Sequence, residues 1–480
     1  MHVGRASSYG RRVSRGRIDR DPRAARRRVL RLRRTIAVAA GLIVLGTAGA
    51  TIASVTGSPS ASSPAQTGTA PAAPIVPPSA EACAIDRTID SWSTGTLHVD
   101  ARDAATGEQL LGIRADDAEA TGSTMKLLTA AAAVSALGPD LTLETRVVEG
   151  SDADTVVIVG GGDPTLSRLP SGQDSVYPDA AHLDDLAQQV RDARARDPRL
   201  ADVPVSRVEV DASLFSGPAW NPGWPESART SGSVSNITAL MVDGDREDPD
   251  VAYSPRGDAA VDRAAAAFAD LLGPDVAVGQ LVEARPGAAE LGSVRSAPIR
   301  DLVAHMLTHS DNTLAESLAR LVAVAEGAGN DFAAVQAGTA GALDAIGIDV
   351  GDARLADGSG LSGENAVPAA VLTRLLVEVA RGAGDLAVVD EGLAIAGRTG
   401  TLAEDGRFSG STGDAAGYIR AKSGTLTDMA GLAGLAAAAD GTTVAFTIWA
   451  EDTPPGASTA DARAAVDALA AEMFRCGASL

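Results

Sequence analysis

The sequence predicts an α+β protein in which an antiparallel sheet flanked by helices is interrupted by an inserted, mostly β segment. Three observations predict it. Strand-like runs stand near both ends of the body, at 95–100 and 418–450. Apolar, alanine-rich helical runs lie between and after them. Residues 141–293 have a different, turn-rich texture. With 480 residues, 45% of them hydrophobic, the chain is able to bury a large core, and its length allows two or three domains.

The first 82 residues read separately from that body. Residues 1–34 hold thirteen arginines against Asp19 and Asp21, so the net charge of −21 conceals a remainder near −32. Residues 35–55 carry no charge and are long enough to cross a membrane once. By the positive-inside rule the N-terminus stays in the cytoplasm and everything after residue 56 is translocated. We read 1–34 as a basic cytoplasmic segment and 35–56 as a transmembrane anchor or signal, the length of the basic region favouring an anchor. Residues 57–82, almost wholly Pro, Ala, Ser and Thr, form a linker. The expected location is the extracytoplasmic face of the cell envelope, membrane-anchored or secreted. An acidic exported body repels phosphates, so nucleic acid is not an expected partner. The two cysteines, Cys83 and Cys476, stand at opposite ends of the exported part. Outside the cytoplasm they are able to form one disulfide, with two free thiols as the alternative.

The elements follow in order. A strand at 95–100, a turn at 105–108 and a second short apolar run predict a hairpin. From Ser123 an apolar run without Gly or Pro continues to Gly138-Pro139, a buried helix closed by a breaker pair. Residues 143–148, 155–159 and 205–210 read as strands, the second entering Gly160-Gly161-Gly162-Asp163-Pro164. Helices are expected at 298–307 and 313–325. Strands follow at 418–422, 430–437 and 442–450, the last two joined at Asp440-Gly441, and a helix closes the chain at 458–474.

Composition locates the chemistry. Of 41 basic residues only Lys126 and Lys422 are lysine. A guanidinium stays protonated near neutral pH, whereas a buried amine is able to act as a base, so the surviving lysines mark positions that arginine does not serve. Lys126 stands three residues after Ser123, on the same face of a helix, and a base beside a hydroxyl is what makes serine nucleophilic. The helix start adds free N–H groups for an oxyanion. Taken alone, Ser-x-x-Lys is weak evidence and reads first as a capping serine with a solvated lysine one turn on. Ser310-Asp311-Asn312 before a helix and Lys422-Ser423-Gly424-Thr425 at a strand end change that reading, since both lysines then fall within one ordered set of three motifs.

With these motifs in place the chain resembles the D-alanyl-D-alanine carboxypeptidase/endopeptidase family of type-4 penicillin-binding proteins, from about residue 83 to 476. Supporting strings are Gly160-Gly161-Gly162-Asp163-Pro164-Thr165-Leu166, Asp357-Gly358-Ser359-Gly360-Leu361-Ser362 and Arg398-Thr399-Gly400-Thr401-Leu402. The resemblance implies a penicillin-binding/β-lactamase-like catalytic domain built from 83–140 plus 294–480, with 141–293 as the inserted domain. It implies that Ser123 attacks the penultimate D-Ala carbonyl of a peptidoglycan stem peptide ending in D-Ala-D-Ala, while Lys126 takes its proton. Ser310 relays a proton to the leaving amine, Asn312 holds the stem, and Lys422 supplies positive potential. Ser423 and Thr425, around Gly424, bind the terminal carboxylate, and the N–H groups of Ser123 and Thr425 form the oxyanion hole. β-Lactams act as covalent inhibitors, and no cofactor is implied. Ser423 stands where most members have Thr, which touches fine specificity only.

Rival readings are weaker. Residues 398–402 echo 422–426, and the second string is preferred because it ends a strand that leads into a hairpin. His309 beside Ser310 suggests a Ser-His-Asp triad, but no Gly-x-Ser-x-Gly occurs. Five histidines without paired ligand spacing give no support to a metal. A β-lactamase or esterase on the same domain, and a catalytically silent peptidoglycan-binding scaffold, are the alternative functions.

Overall fold

The computed structural model describes residues 83–452 and 458–480. The basic segment, apolar span and linker expected over 1–82 lie outside the described residues. No helix among the described residues is long and apolar enough to cross a membrane.

A short helix α1 (Ile85–Asp90) leads into the hairpin of β1 (Thr96–Asp103) and β2 (Gln109–Ile113). The Asp103 carboxylate accepts the Thr106 N–H at 2.7 Å, and Gly107 takes φ +80°, which makes the turn tight. After a two-residue strand β3 (Ala118–Glu119), the turn Gly122–Met125 is 3₁₀ and passes into α2 (Lys126–Leu137). Residues 126–134 of this helix are all buried, so it runs through the core with no solvent face. Gly138, at φ +86°, ends it.

The inserted segment forms a second sheet from β4 (Thr142–Glu149), β5 (Thr155–Val159), β6 (Arg207–Asp211), β7 (Ala277–Leu281) and β8 (Glu290–Pro298), in the order β7-β6-β5-β4-β8. β5, β6 and β7 pair in parallel, whereas β4 is antiparallel to β5 and β8. Parallel neighbours need long crossovers, and helices α3 (Leu183–Arg196) and α4 (Ala260–Leu272) supply them. Their apolar sides, including Leu186, Val190, Ala265 and Phe268, pack on Val156, Ile158, Val208 and Val210 in a core of their own. Helix is therefore as prominent as strand in this segment. Its sheet runs to Pro298, beyond residue 293, and Phe215, Trp224, Val234 and Ile237 join the core around α2. Neither boundary is sharp because packing crosses both.

Besides short helices and 3₁₀ turns, the later elements are α5 (Ile299–His309), α6 (Asn312–Ala325), α7 (Val335–Asp344), β9 (Val367–Pro368), α8 (Ala369–Ala380), β10 (Ala394–Ile395), β11 (Ile419–Thr425), β12 (Ala430–Ala437), β13 (Thr443–Glu451) and α9 (Thr459–Cys476). They complete an antiparallel sheet ordered β10-β11-β12-β13-β1-β2. β1 pairs with β13 along its whole length, from Thr96 opposite Glu451 to Asp103 opposite Val444. Alternation along β12 and β13 divides the apolar residues between two faces. Ala433, Leu435 and Trp449 belong to the core that holds α2 and α8, while Leu432, Phe446 and Ile448 belong to the core that holds α9.

A disulfide joins Cys83 to Cys476, and the Glu472 carboxylate accepts the Ala84 N–H at 2.7 Å beside it. Together they hold the start of the described body on its last helix. Replacing both cysteines by serine is expected to destabilise the protein by ~2–5 kcal/mol, because the cross-link closes so long a loop. Urea unfolding checks this, and an unchanged midpoint would show the link to be dispensable.

Candidate active site

Gly122 has φ +48°, and a Cβ there would stand 2.9 Å from the Thr425 nitrogen. A Cβ on Gly424 would meet the Ser123 nitrogen at 3.2 Å. Only glycine at both places lets the end of β11 lie against the start of α2, so the backbone nitrogens of Ser123 and Thr425 become neighbours.

At the first residue of α2, three residues after Ser123, Lys126 is fully buried. Its amine donates to Ser123 Oγ at 2.9 Å, to Asn312 Oδ1 at 2.6 Å and to the Ser359 carbonyl at 2.8 Å. Burial pulls its pKa down to about 8, against the opposing pull of Asp357, Glu316 and Asp311. An amine in this state holds and takes protons near neutral pH, which a solvated lysine does not.

The second motif bridges two helices. Ser310 ends α5 in the left-handed conformation, at φ 60° and ψ 38°, and Asp311 caps α6 by accepting the Leu314 N–H at 2.9 Å. Asn312 opens α6, accepting from Lys126 and donating to the Ser233 carbonyl at 3.0 Å. In the third motif Lys422 is also fully buried, and its amine donates to the Ser423 carbonyl at 2.8 Å. Burial holds this amine well below the usual lysine range, reinforced by repulsion from Lys126 and Arg407. Ser123, Ser310, Asn312, Ser423 and Thr425 line one cleft of about 310 Å³, with the side chains of Lys126 and Lys422 buried behind them, while Gly424, between Ser423 and Thr425, does not itself line it. Cys83 and Cys476 are not among its lining residues.

The family model of D-Ala-D-Ala carboxypeptidase 3 (S13) matches residues 85–277 and 274–473. The chain belongs to this family. It is 36% identical over 381 residues to a carboxypeptidase of Mycobacterium tuberculosis, covering 78% of this chain and 79% of that one. It is 35% identical over 379 residues to the carboxypeptidase DacB of Mycolicibacterium smegmatis, with the same shares covered. The crystal structure of penicillin binding protein 4 from Haemophilus influenzae has the same fold, with a TM-score of 0.67 at 20% identity over 81% of this chain and 99% of that one. The same Haemophilus protein complexed with a β-lactam gives a TM-score of 0.61 at 19% identity, over the same shares. The α+β penicillin-binding architecture read from the sequence is thus shown, and the chain is a serine-type D-Ala-D-Ala carboxypeptidase.

Three parts of this carboxypeptidase's site went unassigned in the sequence reading. Glu316 is fully buried and accepts the N–H groups of Gly358, at 3.1 Å, and Ser359, at 2.7 Å. The Asp357 carboxylate binds the other end of that loop, accepting from Gly360 N–H, Ser362 N–H and Asn365 Nδ2 at 2.8, 2.7 and 2.8 Å. These two carboxylates aim the Ser359 carbonyl at Lys126. Burial and the neighbouring Asp357 push the Glu316 carboxyl up from its ordinary range. A signal existed: Glu316 stands four residues after Asn312, on the same helix face. The third part is Thr401, whose hydroxyl lies 2.8 Å from that of Ser423. The string 398–402, set aside as a competitor of the third motif, therefore stands beside it in the cleft.

Acylation of Ser123 is expected to rise with pH through about 8 and then level off, because the neutral amine of Lys126 prevails only above its pKa. Stopped-flow acylation by a penicillin checks this, and a rate flat across that range would remove Lys126 as the titrating base. Gly122→Ala is expected to slow the same reaction on the order of 100-fold by displacing the Thr425 N–H. A Gly122→Ala rate equal to wild type would show that the close approach is immaterial.

Proposed function

We propose that this enzyme trims peptidoglycan stem peptides ending in D-Ala-D-Ala through an acyl-enzyme on Ser123. Lys126 takes the proton of Ser123 as Oγ attacks the penultimate D-Ala carbonyl. The backbone N–H groups of Ser123 and Thr425 stabilise the oxyanion. Ser310 delivers a proton to the departing amine, Asn312 orients the acyl-side peptide, and Lys422 supplies positive potential below the cleft. Ser423 and Thr425 receive the terminal carboxylate, with Thr401 completing the hydroxyl cluster. Water then hydrolyses the ester.

One observation carries this reading: a fully buried amine, 2.9 Å from the serine hydroxyl, with a pKa drawn down to about 8. The β-lactam complex of the Haemophilus protein supports covalent inhibition of this chain by the same class of compound. Action on peptidoglycan places the working site outside the cytoplasm. The arginine-rich 1–34 and apolar 35–56 support attachment to the outer face of the membrane.

Intact-mass spectrometry after penicillin treatment is the direct test. Wild type is expected to gain one penicilloyl adduct and Ser123→Ala none. Lys126→Arg is expected to lose D-Ala release by at least about 100-fold, the usual scale of a lost general base. An adduct persisting in Ser123→Ala would move the nucleophile elsewhere, and full activity in Lys126→Arg would end its role as base.

A further inference from the structure

Ser310 is held in a backbone conformation that L-residues avoid, with φ 60° and ψ 38°. Such strain persists only where the surroundings impose it. Asp311, the next residue, shows what imposes it. Its Oδ1 makes the helix cap to Leu314, which satisfies all that a cap requires. Its Oδ2 accepts two further hydrogen bonds, from Tyr177 Oη and Arg246 Nη2, both at 2.9 Å. Arg246 and Asp311 form an ion pair whose side chains are only 4% and 5% exposed. Burying two charges this way costs much of what their attraction returns, so stability alone is a poor reason for the pair. Fixing one geometry is a better one.

The two donors come from the inserted segment and are themselves preset. Arg246 Nη1 donates to the Asp243 carbonyl at 3.1 Å and Nε to the Ala252 carbonyl at 3.2 Å, and its guanidinium lies 4.7 Å from the centre of the Tyr177 ring. The chain just before it, Asp243, Gly244 and Asp245, takes three successive positive φ angles of 50°, 58° and 58°. Tyr177 also packs against His305 of α5, with ring centres 5.1 Å apart, one turn before Ser310. The side chains that grip Asp311 thus meet both the helix that ends at Ser310 and the helix that begins after it.

We infer that Arg246 and Tyr177 are positioning residues that, through Asp311, hold Ser310 where its hydroxyl passes a proton to the leaving amine. The inference rests on the role proposed above for Ser310. In that step the C–N bond breaks as the Ser123 ester forms, and the proton lost by Ser123 has to reach the departing nitrogen. A thiolate leaving group needs no such proton. Positioning of Ser310 therefore matters for an amide and hardly for a thioester.

The test compares hydrolysis of a peptide ending in D-Ala-D-Ala with that of its thioester analogue, on the full chain. Arg246→Met is expected to lose on the order of 100-fold on the amide and no more than about 3-fold on the thioester. Asp311→Asn, which retains a capping side chain, and Ser310→Ala are expected to show the same selectivity. Equal losses on both substrates, or no loss on the amide, overturn the inference. Should Arg246→Met fail to fold, Tyr177→Phe removes one hydroxyl only and has to shift the amide-to-thioester ratio in the same direction. If Ser310→Ala shows no selectivity, the role of Ser310 fails, and with it the reason for the grip. A wild type that forms no acyl-enzyme fails earlier and separately.

Discussion

The dry burial of one amine, that of Lys126, is the constraint on which the rest of the site depends. In water a lysine is a spectator cation, and inside a protein it needs acceptors or it is intolerable. Here three acceptors arrive from three separate places: Ser123 in the 3₁₀ turn that leads into α2, the first residue of α6, and the carbonyl of Ser359. Removing any one shifts the balance between burial, which expels the proton, and the surrounding oxygens, which retain it. The helix packing, the loop at 357–362 and the carboxylates of Glu316 and Asp357 are all arranged around this balance. A guanidinium in its place would neither fit the three acceptors nor release a proton.

The second lysine works under the same constraint from the other side. Lys422 is buried near Lys126, whose charge adds to burial in lowering the pKa of the Lys422 amine. The glycines at 122 and 424 bring the two floor elements into contact, so electrostatics and backbone geometry are set by the same close approach. The inserted segment enters through Ser233, Tyr177 and Arg246, which hold Asn312 and Asp311 on either side of a single peptide bond.

Much of this was legible in the sequence for a chemical reason. In a chain that uses arginine almost everywhere, two lysines stand out, and both fall inside motifs whose order is specific. The terminal hairpin at Asp440-Gly441 and the buried helix ended by Gly138 were legible because turn chemistry and apolar runs are local. What was not legible is non-local. The parallel pairing of β5, β6 and β7, and hence the need for α3 and α4, follows from tertiary contacts that no short window contains. Glu316 looked like any helix glutamate until the loop at 357–362 folded onto it. Thr401 was obscured by a resemblance too good to ignore, since two similar strings compete on paper while both fit in space. The helices of the insertion were less legible than its strands for the same reason: strands announce themselves locally, crossovers do not.

The pairing of β1 with β13 has a consequence in time. Val99 finds its partner Ile448 only after all the sequence between them has been made, and Thr425 precedes that partner by a single hairpin. A polypeptide still emerging holds Ser123 and Lys126 but lacks the strand that supplies Thr425 and the sheet that dries the floor beneath the amine. Such late, long-range closure is slow in folding. It also means that a fragment stopping short of β11 lacks Thr425 and the sheet behind the amine, so the site is completed as a whole rather than piece by piece.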